Sequence, residues 1–279
     1  MITLALASAL AAGAAAAPNY HGCLTPKAQT FAYCDLNSTH EERAASLVAL
    51  LTLEEKVGLI SPDPGMGDTC FAHIHSIPRL DLPAYGWLVE CNTGVASSCM
   101  AAGKCSTTFA GPTGLGASFD RATWTAKGTV LSTEMRAFSN HNWHRSTGLG
   151  DLIGTSAFGP NLNIIRDPRY GRNSELPGED PMLTAEYGIA MVNAMQETDA
   201  AGHPRVNAYL KHFTAYSTET NRMHSNETVT LFDFWDTYLP QYKRVFTEAN
   251  AAGAMCSYFA ENGVPSCANS WLLTDVLRT

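Results

Sequence analysis

Apolar residues recur on two different periods along this 279-residue chain. Near the start, Leu47, Leu50 and Leu51 fall on a helical period between Thr39-His40-Glu41-Glu42 and Thr52-Leu53-Glu54-Glu55, both of which have capping-box spacing. A threonine that accepts from the backbone three residues on, while a glutamate there returns the bond, opens a helix, so two consecutive helices are predicted. Further on, Trp124, Leu131, Met135 and Phe138 repeat at helical spacing behind Asp120 as a cap, and Tyr187, Met191 and Met195 do so behind Thr184. Between the helices, Ala84 to Val89, Phe158 to Ile165, Val206 to Phe213 and Ala254 to Tyr258 read as short buried strands. Alternation of strand and helix predicts an α/β fold with a parallel sheet, and a (β/α)8 barrel or a doubly wound sheet satisfies it equally. No internal repeat or low-complexity tract interrupts the chain after its first residues, so one continuous domain is expected over 18–279.

Composition narrows the partners. With 45% hydrophobic residues the chain can bury a sizeable core. A formal charge of -8 repels phosphate backbones and anionic lipid, so neither nucleic acid nor a membrane surface is an expected partner. The first 17 residues, MITLALASALAAGAAAA, form an apolar run that closes on an Ala-x-Ala pattern at Ala15 and Ala17, which reads as a secretory signal peptide and is too short to span a bilayer. Export agrees with an even set of eight cysteines and with sequons at Asn37 and Asn226, which are the expected glycosylation sites of a secreted chain. Short intervening loops make Cys256 with Cys267, and Cys99 with Cys105, the expected disulfides, although spacing alone does not determine the connectivity of eight cysteines.

Candidate chemistry gathers just after the predicted strands, where both admissible architectures place their sites. Behind Ile165 runs Arg166-Asp167-Pro168-Arg169-Tyr170-Gly171-Arg172, followed by Glu175, Glu179 and Asp180: three arginines and four carboxylates within fifteen residues. Most of these charges are expected to hold the loop by ion pairing. A guanidinium fork also suits a sugar, because it gives two parallel hydrogen bonds to vicinal hydroxyls and keeps its charge. The next cluster is Lys211-His212-Phe213. Adjacent side chains on a regular strand face opposite ways, so a shared pocket for Lys211 and His212 requires a bulge or a strained peptide. Metal and hydrolase-triad chemistry is not supported. His73 and His75 near Cys70, and His141 with His144, lack an accompanying Cys-x-x-Cys or His-Glu-x-x-His, and no Gly-x-Ser-x-Gly is present. GPTGLG lacks the ending of a phosphate loop, and no cofactor is implied.

From about Arg43 to the last residue the chain resembles glycoside hydrolase family 3. RAASLVALLTLEEKVGLI, IPRLDLPAYGWLVECNTGV, GPNLNIIRDPRYGRNSELPGEDP, YLKHFTAYS, DTYLPQYKRVF and MCSYFAENGVPSCANSWLLTDVLR are similar to successive blocks of that family in their usual order. The resemblance implies a (β/α)8 TIM-type barrel, incomplete in this chain. It implies that Glu90, Arg172, Lys211 and His212 grip the hydroxyls of the sugar in the cleavage subsite, with Tyr258 beside the nucleophile. Such a set can saturate three hydroxyls where unpaired polar atoms would be costly. The Trp-x-x-Glu of Trp87 and Glu90 resembles the β-xylosidase branch, since β-glucosidases of the family usually carry Asp, and the longer acid reaches into space that a glucose hydroxymethyl group needs. The chain departs from the pattern at Thr93, where a His is usual, at Ser217 in place of Asp, at Phe259 in place of Asn, and from Asn140 to Thr155.

Retaining glycosidases need a carboxylate nucleophile and a carboxyl acid/base. In family 3 the nucleophile is an Asp about a dozen residues beyond the block LLTDVLR, and the acid comes from a later domain, so both are expected beyond Thr279. Asp275 and Glu179 are not expected to replace them. Two functions follow: a secreted β-xylosidase acting on xylo-oligosaccharides from the non-reducing end, or a sugar-binding module that holds its ligand without cleaving it. A β-glucosidase or α-arabinofuranosidase relative is the nearest variant of the first.

Overall fold

The computed structural model describes residues 22–61, 73–74, 76–96, 99–101, 103–140 and 153–278. The expected signal peptide, Cys70, His75, His141, His144 and most of the unusual segment after Asn140 lie outside the described residues.

Both capping boxes form. Thr39 Oγ1 accepts from the Glu42 amide at 3.2 Å while Glu42 accepts from the Thr39 amide at 2.9 Å, opening helix α1 (His40–Leu50). Thr52 and Glu55 repeat the same two bonds at 3.2 and 2.9 Å to open α2 (Leu53–Ile60). Glu55 also binds Arg79, whose guanidinium donates to the Leu50 carbonyl at 2.6 Å and so ties the end of α1 to the following loop. These helices lie outside the main core: Leu47 packs into a satellite cluster of Leu51, Ile77 and Leu80, and Leu50 stays exposed.

The main sheet has four parallel strands, β1 (Val89–Glu90), β2 (Ser156–Asn161), β3 (Asn207–Phe213) and β4 (Gly253–Cys256). Their order in space is their order in the chain, with Val89 opposite Ala157, Phe158 opposite Tyr209, and Tyr209 opposite Gly253. A doubly wound sheet reverses direction at a switch point, whereas a barrel is wound one way. Uninterrupted order therefore selects the barrel winding, and β1 and β4 are the two edges of an arc that does not close. The connecting segments contain α3 (Pro112–Gly116), α4 (Arg121–Asn140), α5 (Pro181–Met195) and α6 (Pro240–Ala249). Successive helices pack on one another, α4 on α5 and α5 on α6.

The apolar stripes read from the sequence fill the layer between sheet and helices. Trp124, Leu131 and Met135 of α4 and Tyr187, Met191 and Met195 of α5 are buried in one cluster with Leu162, Leu210 and Tyr242. Trp124 meets Tyr187 edge-on at 5.6 Å and donates its indole N–H to the Leu115 carbonyl at 2.7 Å. Close approach of α4 to α5 depends on Gly128, where a Cβ would stand 2.8 Å from the Met191 carbonyl oxygen. Asp120 caps α4 as expected, accepting from the Ala122 amide at 2.9 Å.

One cap is corrected. Thr184 does not open α5; it is buried inside the helix, and Asp180 is the cap, accepting from the Leu183 amide at 2.6 Å with Pro181 in the first turn. Proline at the first helical position costs no bond and presets φ, which moves the start ahead of Thr184. Of the expected strand Ala84 to Val89 only Val89 enters the main sheet, while Tyr85–Gly86 pairs antiparallel with His73–Ile74 in a separate ribbon. Two other expected strands are shorter than the apolar runs. After Asn161 the chain leaves the sheet with Leu162 and Ile164 still buried, and β4 stops at Cys256, before Tyr258.

Disulfides join Cys256 to Cys267, Cys99 to Cys105, and Cys23 to Cys34, while Cys91 is a buried free thiol. Among the described residues no helix is long and apolar enough to cross a membrane.

Candidate functional site

The polar residues at the C-terminal ends of the four strands converge. On β3, pairing slips on both sides of the Lys211-His212 step: against β2 between Phe158 and Asn161, and against β4 between Leu210 and Phe213. The Lys211–His212 peptide is cis. The two register slips supply the irregularity that a shared pocket requires.

Lys211 extends from this step to the carboxylate of Glu90 at the end of β1. The lysine side chain is 2% exposed and the glutamate 38%, so the cation is fixed from within while the carboxylate remains open to a ligand. Glu90 is oriented further by the Asn92 amide, which donates to Oε1 at 3.1 Å.

His212 is held by its backbone as much as by its ring. Its N–H donates to Asn163 Oδ1 at 2.9 Å, and its carbonyl accepts from Asn163 Nδ2 at 2.8 Å and from the Tyr242 hydroxyl at 3.0 Å. Ring Nδ1 lies 3.3 Å from the same Asn163 Oδ1, an acceptor, which places the imidazole proton there and leaves Nε2 as an acceptor. Burial, and then the positive charges of Lys211, Arg172 and Arg222, push the His212 pKa well below the ordinary range, so the ring is neutral.

Arg172 reaches the cluster from the loop after β2. Its guanidinium grips Glu175 with two bonds of 2.6 Å and lies 5.5 Å from the ring centre of Tyr216. Burial opposes ionisation of Glu175, but the hydrogen bonds and charge of Arg172 outweigh it and lower the pKa. The fork expected for sugar hydroxyls is therefore engaged by an internal carboxylate, and any ligand must use the remaining N–H groups or displace one of these bonds. Tyr216 stands edge-on to His212 at 5.2 Å, and Tyr258, 41% exposed, is 5.9 Å from His212. All five expected residues, Glu90, Arg172, Lys211, His212 and Tyr258, belong to this one connected group.

Other charges of the arginine-rich loop hold it together. Arg169 chelates Asp167 at 2.9 and 2.6 Å, Arg166 lies 5.5 Å from the centre of the Tyr238 ring, and Asp180 caps α5. Glu179 lines a separate cleft with Arg166, Glu186 and Asp236. Asp275 lies in the helical turn Trp271–Val276, beside an apolar groove bounded by Trp235 and Phe246. Neither belongs to the cluster. Among the described residues no three His, Cys, Asp or Glu side chains form a group able to hold a metal ion.

A buried cation beside an open carboxylate, a neutral imidazole and the exposed ring of Tyr258 suits an uncharged ligand rich in hydroxyls, since each hydroxyl both donates and accepts. Residues 76–279 match the family model described as glycosyl hydrolase family 3 N terminal domain. The chain belongs to glycosyl hydrolase family 3. It is 37% identical over 285 residues to exo-1,4-beta-xylosidase bxlB of Emericella nidulans, an alignment that covers 99% of this chain and 35% of that protein. To probable beta-D-xylosidase 7 of Arabidopsis thaliana it is 35% identical over 284 residues, covering 95% of the chain and 35% of the relative. The chain thus spans about a third of the length of the curated relatives it matches. Among solved structures, the family 3 exo-beta-xylosidase XlnD in complex with a xylobiose aziridine activity-based probe superposes with a TM-score of 0.79 at 30% identity, over 94% of this chain and 32% of that one. Beta-glucosidase 3B of Thermotoga neapolitana in complex with glucose gives 0.67 at 27% identity, over 84% and 32%.

Within this family 3 site, sequence reasoning missed Arg222. Its guanidinium lies 4.5 Å from the centre of the Tyr258 ring and pairs with Glu219 at 2.7 Å. It sits in an irregular polar stretch, STETNR, where periodicity carries no signal; only the fold brings it to Tyr258. Asn92 and Asn163, whose hydrogen bonds hold Glu90 and His212, carry no sequence signal of their own, whereas Glu175 lies in the charged loop that the sequence singled out and forms the ion pair expected there. The departures from the family pattern have local partners: Ser217 Oγ donates to the Ile164 carbonyl at 2.7 Å, and buried Phe259 packs 5.4 Å from Tyr216. Of the expected glycosylation sites, Asn37 and Asn226 are both exposed, and Asn226 Oδ1 accepts from the Gly263 amide at 2.6 Å.

Proposed function

We propose that this chain carries the sugar-recognition part of a retaining exo-β-xylosidase that acts on xylo-oligosaccharides from the non-reducing end, and that it is secreted. The observation that carries the reading is the pairing of fully buried Lys211 with half-open Glu90 beside Arg172, His212 and Tyr258. Glu90 accepts and Lys211 donates, so one hydroxyl bridging the two satisfies both. The neutral His212 accepts through Nε2, and the exposed ring of Tyr258 covers the apolar face of the sugar. Preference for a pentose rests on the length of Glu90, whose carboxylate occupies space that a hydroxymethyl substituent would need. The relatives whose names describe them as xylosidases support the same choice.

Hydrolysis by this mechanism uses two carboxyl groups about 5–5.5 Å apart on either side of the glycosidic bond. Glu90 is engaged by Lys211 and Asn92, and Glu175 by Arg172, so neither is disposed to attack an anomeric carbon. Nucleophile and acid/base are assigned to neither of these carboxylates. The Ala-rich first 17 residues support export.

Isothermal titration with xylose and with glucose, together with an aryl β-xyloside turnover assay on residues 18–279, tests this. Xylose is expected to bind more tightly than glucose, with no product released. Tighter binding of glucose would overturn the pentose assignment, and turnover would place the nucleophile within the chain.

A further inference from the structure

Lys127 is a cation in the hydrophobic core that the sugar pocket does not touch. It lies on α4 between Trp124 and Leu131, is fully buried, and has no carboxylate partner among the described residues. Its ammonium donates to the Asn92 carbonyl at 2.6 Å and to the Tyr187 hydroxyl at 3.1 Å, and it lies 6.0 and 5.8 Å from the centres of the Phe109 and Tyr187 rings. An unpaired ammonium is costly to bury, and a methionine of similar length would fill the same volume without that cost. The core therefore gains nothing from the charge, and any return must come through the atoms it bonds.

Those atoms lead to the site. Asn92 has three bonds that matter: its carbonyl accepts from Lys127, its backbone N–H donates to Glu90 Oε1 at 3.1 Å, and its side-chain amide donates to the Glu175 carbonyl at 3.2 Å. Glu175 in turn clamps Arg172. One residue thus links both ligand-facing arms, and Lys127 holds it from below. Resting on the sugar-binding reading of this pocket, we infer that Lys127 is a positioning residue for the site, its ammonium fixing Asn92 so that Glu90 and the Arg172–Glu175 arm keep their spacing around the sugar.

The charge state of Lys127 follows from its surroundings. Burial lowers its pKa to about 8, because the ammonium has lost its hydration inside the core. The ionisable groups that face it are Cys91 from the end of β1 and Tyr187 from α5, and burial pushes both upward, so both remain neutral near pH 8. Glu90 and Lys211 bear on the same thiol with opposite signs. When Lys127 loses its proton, the charge-assisted bond to Asn92 becomes an ordinary one of roughly half the strength.

Amide spectra of the full chain, recorded from about pH 6.5 to about pH 9.5, read this directly, because they bracket the titration of a single buried amine. The Asn92 amide is expected to shift with a midpoint near that of Lys127, and xylose affinity to fall about threefold or more over the same interval. In Lys127→Met the amide should be flat across that range. Xylose affinity near neutral pH should be about tenfold weaker, while the melting temperature is unchanged or higher, because the buried charge has gone. A merely structural lysine would lower stability and affinity together, and that result overturns the inference. So does a wild-type Asn92 amide without a transition, or a Lys127→Met protein that binds xylose within about twofold of wild type. Failure of the wild-type chain to bind xylose would refute the pocket assignment instead, and the Asn92 titration would still decide the role of Lys127.

Discussion

Glu261 offers a stability test that can be worked from the structure. It lies in the segment Ala260–Glu261, which pairs with Asn226–Glu227 and Val264–Pro265 in a small sheet behind Tyr258. The side chain is buried, and its neighbours are hydroxyls and amides: Ser266 Oγ donates at 2.7 Å and Ser257 Oγ at 3.2 Å. Desolvation outweighs these bonds and raises the pKa from 4.5 to about 7. In the unfolded chain the acid ionises at its ordinary value, so between those two pH values the folded state binds a proton that the unfolded state has lost. Stability therefore falls as pH rises through this window and is lowest above pH 7. A shift of that size corresponds to about 3 kcal/mol. Glu261→Gln removes the ionisation and keeps a polar group for the two serines. The variant should melt with wild type near pH 4, where both are neutral, and about 5–8 °C above it near pH 8. Calorimetric melts of both proteins across this range measure the difference. A difference independent of pH, or a variant less stable than wild type at the alkaline end, would show that the carboxyl titrates normally and that water reaches it.

Three further outcomes are expected. Glu175→Ala leaves the Arg172 guanidinium without its carboxylate, and titration with xylose should show binding weakened by about 1.5–3 kcal/mol; an unchanged affinity would mean that Arg172 takes no part in recognition. Gly116→Ala places a Cβ 2.0 Å from the Pro177 carbonyl oxygen, where α3 backs the Arg172 loop. Displacing that backbone should cost about 3 kcal/mol or more in chemical denaturation, and a loss below about 0.5 kcal/mol would show that the loop withdraws freely. Opening the loop between Cys256 and Cys267, which carries Tyr258, by the double change Cys256→Ser and Cys267→Ser removes an 11-residue constraint. It should cost about 2–3 kcal/mol by the chain-entropy argument, and equal denaturation midpoints in oxidised wild type and variant would refute it.

The sequence by itself determined what is local. Both capping boxes, the position of β2, β3 and β4 to within a few residues, the helical faces of α4 and α5, and the polar clusters behind Ile165 and at Lys211-His212 follow from short-range rules of backbone hydrogen bonding and side-chain period. Where two local signals competed, as Asp180-Pro181 and Thr184 did for the start of α5, the sequence pattern misplaced the cap by four residues, and the fixed φ of proline explains the outcome. Only the tertiary structure decided the winding, because strand order is a property of long-range pairing that no period encodes; here resemblance to a family supplied what patterning left open. The partners of the site were decided in the same way. Lys211 meets Glu90 from 121 residues away, Arg222 arrives over Tyr258 from an irregular stretch, and Lys127, on the buried face of α4, reaches Asn92 only when α4 lies against the sheet. A side chain's sequence neighbours constrain its backbone. Whether its charge is paired, exposed or buried depends on what the fold brings within hydrogen-bonding distance.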